Sequence, residues 1–142
     1  MKALSVRQPW AWLICMGYKD IENRGKRVKN LRRVYVHASK SRACMDEATI
    51  AWVSERLQEN EKKLFAKALE NLPFGAVIGE VDITACVDRT ESPWFTGPLG
   101  YVLSNAVLYD KPKPCRGSLG FFTPGFQEVG ETGVSTQKGR NA

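Results

Sequence analysis

A chain of 142 residues, 43% hydrophobic and 25% charged, fits one domain with its own hydrophobic core and needs no metal or disulfide staple. Nothing in it approaches a membrane span, and the absence of a G-x-G-x-x-G fingerprint, a Walker loop or a Ser/His/Asp order excludes the familiar nucleotide-cofactor and hydrolase signatures. The charge is the unusual quantity: 21 Lys and Arg stand against 15 Asp and Glu, and six basic residues between Arg24 and Arg33 account for the whole excess of +6.

Lys2–Val6 reads as a first strand. Arg7-Gln8-Pro9 then opens a short helix, proline suiting the first turn because its missing N–H would have no intrahelical partner. That helix carries Trp10, Leu13 and Ile14 at core spacing and stops at Gly17. Trp10 and Trp12 lie two apart and cannot share a helix face, so one suits the core and the other a cleft. Lys19–Asn23 is a short strand or extended segment, and the basic run is a loop. Arg33–Ser39 alternates, with Val34, Val36 and Ala38 on one face and Tyr35, His37 and Ser39 on the other.

Two helices are predicted next. Cys44–Gln58 is amphipathic around Met45, Ala48, Trp52 and Val53, and Asn60–Asn71 puts Leu64, Phe65, Ala68, Leu69 and Leu72 on one stripe. After Pro73-Phe74-Gly75 a long strand runs from Ala76 to Val87, with Val77, Gly79, Val81, Ile83, Ala85 and Val87 on one face. A loop from Asp88 to Gly100 precedes a strand over Gly100–Tyr109. Lys111–Gly117 is a Pro-rich connection, and Leu119–Phe122 is a last short strand. Strands interrupted by a helical insertion suggest a small, partly closed β-barrel with helices packed against it. From residue 124 the chain turns polar and Gly-rich and reads as a flexible tail.

The four cysteines, Cys15, Cys44, Cys86 and Cys115, form no C-x-x-C pair, and His37 is the single histidine. No zinc site, other metal or cofactor is expected from that set. Free thiols without an apolar leader point to a reducing, cytoplasmic setting.

The run Arg24, Lys26, Arg27, Lys29, Arg32 and Arg33 is a local positive patch on an otherwise balanced chain. It suggests a polyanionic partner, nucleic acid first and an anionic membrane second, with a solvated basic loop as the plain alternative. Lys19, just past a helix end, would bind phosphate as an ammonium, and only burial or nearby positive charge would turn it into a base. Glu22 and Arg24 share a strand face. Spacing alone favours a local ion pair, and the functional reading makes Glu22 a proton acceptor or base-edge reader beside an arginine anion clamp. His37 suits a structural hydrogen bond. Trp94 either offers a stacking surface for a nucleobase or plugs the barrel end.

Several of these segments resemble one family. Ala3-Leu4-Ser5-Val6-Arg7-Gln8-Pro9-Trp10-Ala11-Trp12, Gly17-x-Lys19-x-x-Glu22-x-Arg24, Val36-His37-Ala38-Ser39, Ser92-Pro93-Trp94-Phe95, Gly97-Pro98 and Pro114-Cys115-x-Gly117-x-x-Gly120-Phe121-Phe122 look like the ASCH domain, in the family's order. The resemblance implies a PUA-like small β-barrel of α+β class over residues 1–123, with helices at its ends or side, followed by the 124–142 tail. It implies binding of RNA or another nucleic acid, or of a nucleoside-type small molecule, with no membrane role. The residues placed at such a site are Arg7, Gln8, Trp10, Lys19, Glu22, Arg24, Lys26, Arg27, Lys29, Arg32, Arg33, His37, Ser39 and Trp94. Some members are hydrolases, so the alternative is an enzyme acting on RNA or a modified nucleoside, with Lys19 and Glu22 as the acid/base pair. Bacterial relatives that deacetylate N4-acetylcytidine carry a threonine nucleophile where this chain has Glu22. Hydrolysis here would therefore need a water activated by Glu22 or Lys19.

Overall fold

A computed structural model describes residues 1–126 and, beyond them, the backbone of a short antiparallel strand pair, Glu128–Val129 and Ser135–Thr136. The rest of the expected tail lies outside the described residues. The ordered elements are β1 (Ala3–Val6), α1 (Trp10–Cys15), β2 (Ile21–Arg24), β3 (Arg33–Ala38), α2 (Glu47–Ser54), α3 (Glu59–Leu69), β4 (Ala76–Val87), β5 (Leu99–Pro114) and β6 (Phe121–Phe122). The main sheet has the order β2-β5-β4-β3-β1-β6, with β1 and β3 parallel and every other pair antiparallel.

That sheet curls until its far sides meet. The Arg24 guanidinium, on edge strand β2, donates to the Ser5 carbonyl on β1 at 2.8 Å, although three strands separate them in the sheet order. The Tyr101 ring on β5 stacks on Phe121 of β6 with centroids 6.2 Å apart. Side chains thus join a seam that no backbone ladder closes. The result is an α+β half-barrel with helices alongside, in agreement with the expected small barrel.

Inside the curl, Leu4, Val6, Val34, Val36, Ile78, Val81, Ile83, Tyr101 and Leu103 form one core. A second core, built on Trp12, Leu13, Ile21, Val53, Leu57, Phe65 and Trp94, binds α2 and α3 to α1 and β2. Phe65 is fully buried there, and truncating such a side chain costs about 3–5 kcal/mol. α1 approaches β4 closely because position 79 is glycine. A Cβ there would lie 2.6 Å from the Cys15 sulfur.

Three sequence expectations need correction. The single alternating face on β4 does not hold: Ala76 and Ile78, then Val81 and Ile83, then Cys86 pack in the first core, so parity switches twice. Register shifts at Val77/Gly79, Glu80/Asp82 and Ile83/Ala85 accompany the switches, because each bulge re-aims the residues after it. The first part of the Pro-rich stretch expected to connect two strands, Lys111 to Pro114, belongs to β5, pairing Lys113 with Val77 and Pro114 with Ala76, and only Cys115 to Gly117 is connection. β2 covers β5 only over Leu99–Val102, so the far part is an edge, where proline costs no ladder bond. Leu64, expected on the buried stripe of α3, is 48% exposed.

The helices are also shorter than the patterns suggested. Asp46 caps α2 by accepting from the Thr49 N–H at 2.7 Å, which fixes its start at Glu47, three residues past the predicted one. The Glu61 carboxylate accepts from the Gln58 N–H at 2.9 Å at the head of α3.

Candidate functional site

Lys19 and Asp20 lie between α1 and β2, and within β2 the strand pleat decides where Glu22, Asn23 and Arg24 point. Asp20 and Asn23 hold the 88–98 loop. Ser92 Oγ donates to the Asp20 carboxylate at 2.6 Å. Asn23 donates to the Trp94 carbonyl at 3.0 Å and accepts from the Thr96 and Gly97 N–H groups at 2.8 and 3.1 Å. Lys19, Glu22 and Arg24 form the charged set. Lys19 Nζ donates to the Ile21 carbonyl and lies 3.5 Å from Glu22 Oε1. Arg24 donates to Glu22 Oε2 at 2.8 Å. One carboxylate thus sits between two cations, leaving a net positive charge.

Lys19 is only 4% exposed and Glu22 only 8%. Burial pushes the Lys19 pKa below the ordinary lysine range; Glu22 opposes the shift and Arg24 adds to it. Its ammonium also sits 5.5 Å from the Trp10 ring centroid.

Lys19 and Glu22, but not Arg24, line a cleft of about 440 Å³ together with Trp10, Asn23, Ala48, Thr49, Trp52, Trp94 and Thr96. Its walls are three tryptophans in edge contact. Trp10 and Trp52 have ring centroids 5.8 Å apart, and Trp52 and Trp94 are 5.9 Å apart. Arg56 holds this corner together: its guanidinium lies 3.4 Å over Trp52 and donates to the Trp52 and Pro93 carbonyls at 2.7 and 2.9 Å.

A second hollow of about 590 Å³ opens from the first along the seam. Trp10, Glu22 and Asn23 line both, and the second adds Arg7, Arg24, Ser39 and Ser41. Past Arg24, Gly25 and Gly120 it meets a third hollow of about 540 Å³, lined by Lys26, Arg27, Lys29, Arg32, Tyr101 and Phe121. An aromatic cleft, a seam and a basic loop therefore form one continuous track. Among the described residues, Lys26, Arg27, Lys29 and Arg32 make no ion pair. Arg32 instead lies 5.7 Å over the Phe121 ring.

Of the residues picked out in the sequence, Arg7, Trp10, Lys19, Glu22, Arg24, Lys26, Arg27, Lys29, Arg32, Ser39 and Trp94 line this track. Trp94 is buried in the second core, against α2 and α3 rather than at the barrel end, and one part of it lines the cleft. Trp12 is the core tryptophan of its pair and Trp10 the cleft one.

Three do not join the track. Gln8 is buried, donates to the Pro73 carbonyl at 2.9 Å and accepts from the Trp12 N–H at 2.9 Å. Arg33 pairs with Glu80 and with Asp82, the latter at 2.9 Å. His37 is buried, its Nε2–H donating to the Cys115 carbonyl at 2.8 Å and its Nδ1 pairing with Ser5 Oγ at 3.1 Å. Trp52, Asn23, Thr49 and Thr96 are cleft residues that the sequence reading missed.

Among the described residues no group of three or more His, Cys, Asp or Glu is placed to hold a metal ion, and no helix is long and apolar enough to cross a membrane. No curated protein matches the chain. The ASCH domain model matches residues 4–105, from β1 into β5, leaving the Pro114–Phe122 segment outside the match. That span is well over half of the sequence, and the curled half-barrel with helices alongside is consistent with a PUA-like small barrel. The chain belongs to the ASCH domain family, and with it to a group associated with RNA and nucleic acid in general.

Proposed function

We propose that this protein binds single-stranded nucleic acid, RNA in the first place, through the cleft at Lys19, Glu22 and Arg24. An unstacked base enters between Trp10, Trp52 and Trp94, and the phosphates that follow it lie along Arg24 and the 26–32 loop. The observation that carries this reading is the continuity of the aromatic cleft with the basic loop through shared lining residues. Stacking on an aromatic wall contributes roughly 1–3 kcal/mol per base and requires a base free of its own stack, which favours single strands. Glu22 is held in one orientation by its two cations, and Oε1, which accepts only a long 3.5 Å bond from Lys19, keeps a lone pair for an N–H on the base edge. The test is fluorescence anisotropy of labelled RNA and DNA single strands at graded salt. Binding that weakens steeply with salt supports the reading, and no binding to either at low salt would sink it.

A second reading has one observation of its own, the buried Lys19 with its lowered pKa beside Glu22. A buried lysine whose pKa is lowered gives up its proton more readily than an exposed one, and the pair would then hydrolyse RNA or an acylated nucleoside through an activated water. Turnover of RNA or acylated cytidine by the purified protein, lost in Lys19→Ala, is the result this reading expects. Turnover that survives the substitution would refute it.

A further inference from the structure

A fourth hollow borders the track and belongs to neither the cleft nor the basic loop. It encloses about 800 Å³, and Ser5, Ser39, Ser118 and Leu119 line both it and the seam hollow. It shares no lining residue with the hollow of the basic loop. Its charged residues are Lys40 and Arg116, both exposed, and no acidic side chain lines it. Among the described residues, neither cation makes an ion pair.

The fold holds these two cations together from distant parts of the chain. Lys40 follows β3 and Arg116 follows β5, and Gly75 ties the two strand ends. Its N–H donates to the Ala38 carbonyl at 2.7 Å, and its own carbonyl accepts from the Cys115 N–H at 3.1 Å. The Lys40 stem packs over Gly75, where a Cβ would lie 3.0 Å from Lys40 Cε, and the glycine takes φ +72, a conformation that disfavours any other residue. The loop bearing Arg116 rests on the buried His37. His37 donates to the Cys115 carbonyl, and a Cβ at Gly117 would lie 2.5 Å from His37 Cε1. His37 is therefore a positioning residue for this loop, which explains a buried histidine at a site with no other use for one.

We propose that this hollow is a second phosphate-binding site, where Lys40 and Arg116 hold the backbone of a single strand on the far side of the seam from the basic loop. The inference rests on the reading of the cleft as a nucleic-acid site and extends it. With a basic hollow at each end of the seam, the nucleotide in the tryptophan cleft is an internal one, flanked on both sides. A chain end or a free nucleoside would leave one of the two unused. Positive charge without a local acidic partner suits phosphate, whose neutralisation releases counterions.

The experiment compares the unmodified protein with the Lys40→Ala/Arg116→Ala variant on labelled single strands of graded length, from a dinucleotide to about twelve nucleotides. Both substitutions fall on exposed side chains, and a thermal melt checks that the fold is kept. On the longer strands the double variant binds roughly tenfold more weakly, and its slope of log affinity against log salt flattens by about 1.4, ~0.7 for each phosphate that is no longer neutralised. On the dinucleotide the two proteins bind alike. Identical affinity and slope on the longer strands would overturn the second site while leaving the cleft reading intact. Failure of the unmodified protein to bind any strand would remove both.

Discussion

Arg24 and Arg33 bound the basic run, and each is paired with carboxylate, yet their surroundings differ. Arg24 shares Glu22 with a buried lysine at the base of a tryptophan-walled cleft and also crosses the barrel seam to Ser5. Arg33 lies on the outer side of β3, between Glu80 and Asp82 of β4. There Tyr109 donates to Glu80, and Asn105 donates to Asp82 at 2.9 Å. The outer cluster has one cation to two carboxylates, and none of its acidic residues lines a hollow described above. The inner cluster has two cations to one carboxylate and faces empty space. Ion pairing by itself thus says little about function; charge left over beside a cavity says more. The basic run looks different in this light, since Arg33 is taken up by two carboxylates of the sheet, whereas Arg24 lines the seam and Lys26, Arg27, Lys29 and Arg32 make no ion pair among the described residues.

The largest effect that would sharpen this contrast is on binding. Neutralising Lys26, Arg27, Lys29 and Arg32 together weakens single-strand binding by about a hundredfold at moderate salt and flattens the salt slope by about 2.8, whereas Arg33→Gln leaves both unchanged. Equal losses in the two variants would erase the distinction. Stability comes next. Glu22→Leu leaves the inner cations without their carboxylate and costs about 2 kcal/mol in urea unfolding, while Glu80→Leu, at a partly exposed pair, costs under about 1 kcal/mol. The reverse order would show that the outer cluster is the structural keystone. Trp52→Leu is expected to cost about tenfold in affinity, through weaker stacking, with a small change in melting temperature because Trp52 is only partly buried.

The smallest effects concern pH, and the two clusters respond at opposite ends. Lys19 has a folded pKa below its unfolded value, so the unfolded chain holds the proton longer. Stability from this residue therefore rises with pH between its folded value and the ordinary lysine range near ~10.4, and Lys19→Met removes the rise. In the outer cluster, burial works against Glu80, yet hydrogen bonds from Tyr109 and Arg33 hold its pKa below the carboxylate range; Asn105 and Arg33 do the same for Asp82. Stability from those carboxylates is present above about pH 4 and is lost as acid protonates them, and Glu80→Gln/Asp82→Asn removes that loss. Melting temperatures across pH read both slopes.

How much of this was legible in the sequence depends on the range of the interaction. The Glu22–Arg24 ion pair could be read because a strand pleat is a local property, whereas the placing of Lys19, Glu22 and Arg24 together at a site came only from the family resemblance. Trp10 and Trp12 could be separated by helix geometry alone. Trp52 could not be assigned to the cleft, because that depends on α2 lying against the Pro93–Trp94 loop through Arg56, a contact between segments 37 residues apart. The bridge from Arg24 to Ser5 requires knowing that the sheet curls until β2 meets β1. The faces of β4 were misjudged for a further reason: bulges change parity without leaving a mark in the alternation. Lys40 and Arg116 carry no mark in the sequence, because only the contacts of Gly75 and His37 bring their strand ends together.

The most direct test of the central claim is a titration of the protein with single-stranded RNA, followed at once by intrinsic tryptophan fluorescence and by the anisotropy of the labelled strand. A base seated among Trp10, Trp52 and Trp94 quenches the tryptophan signal at the same RNA concentration that raises the anisotropy, and added salt shifts both curves together. Anisotropy that rises with no change in tryptophan emission would place the strand on the basic loop alone and contradict the cleft.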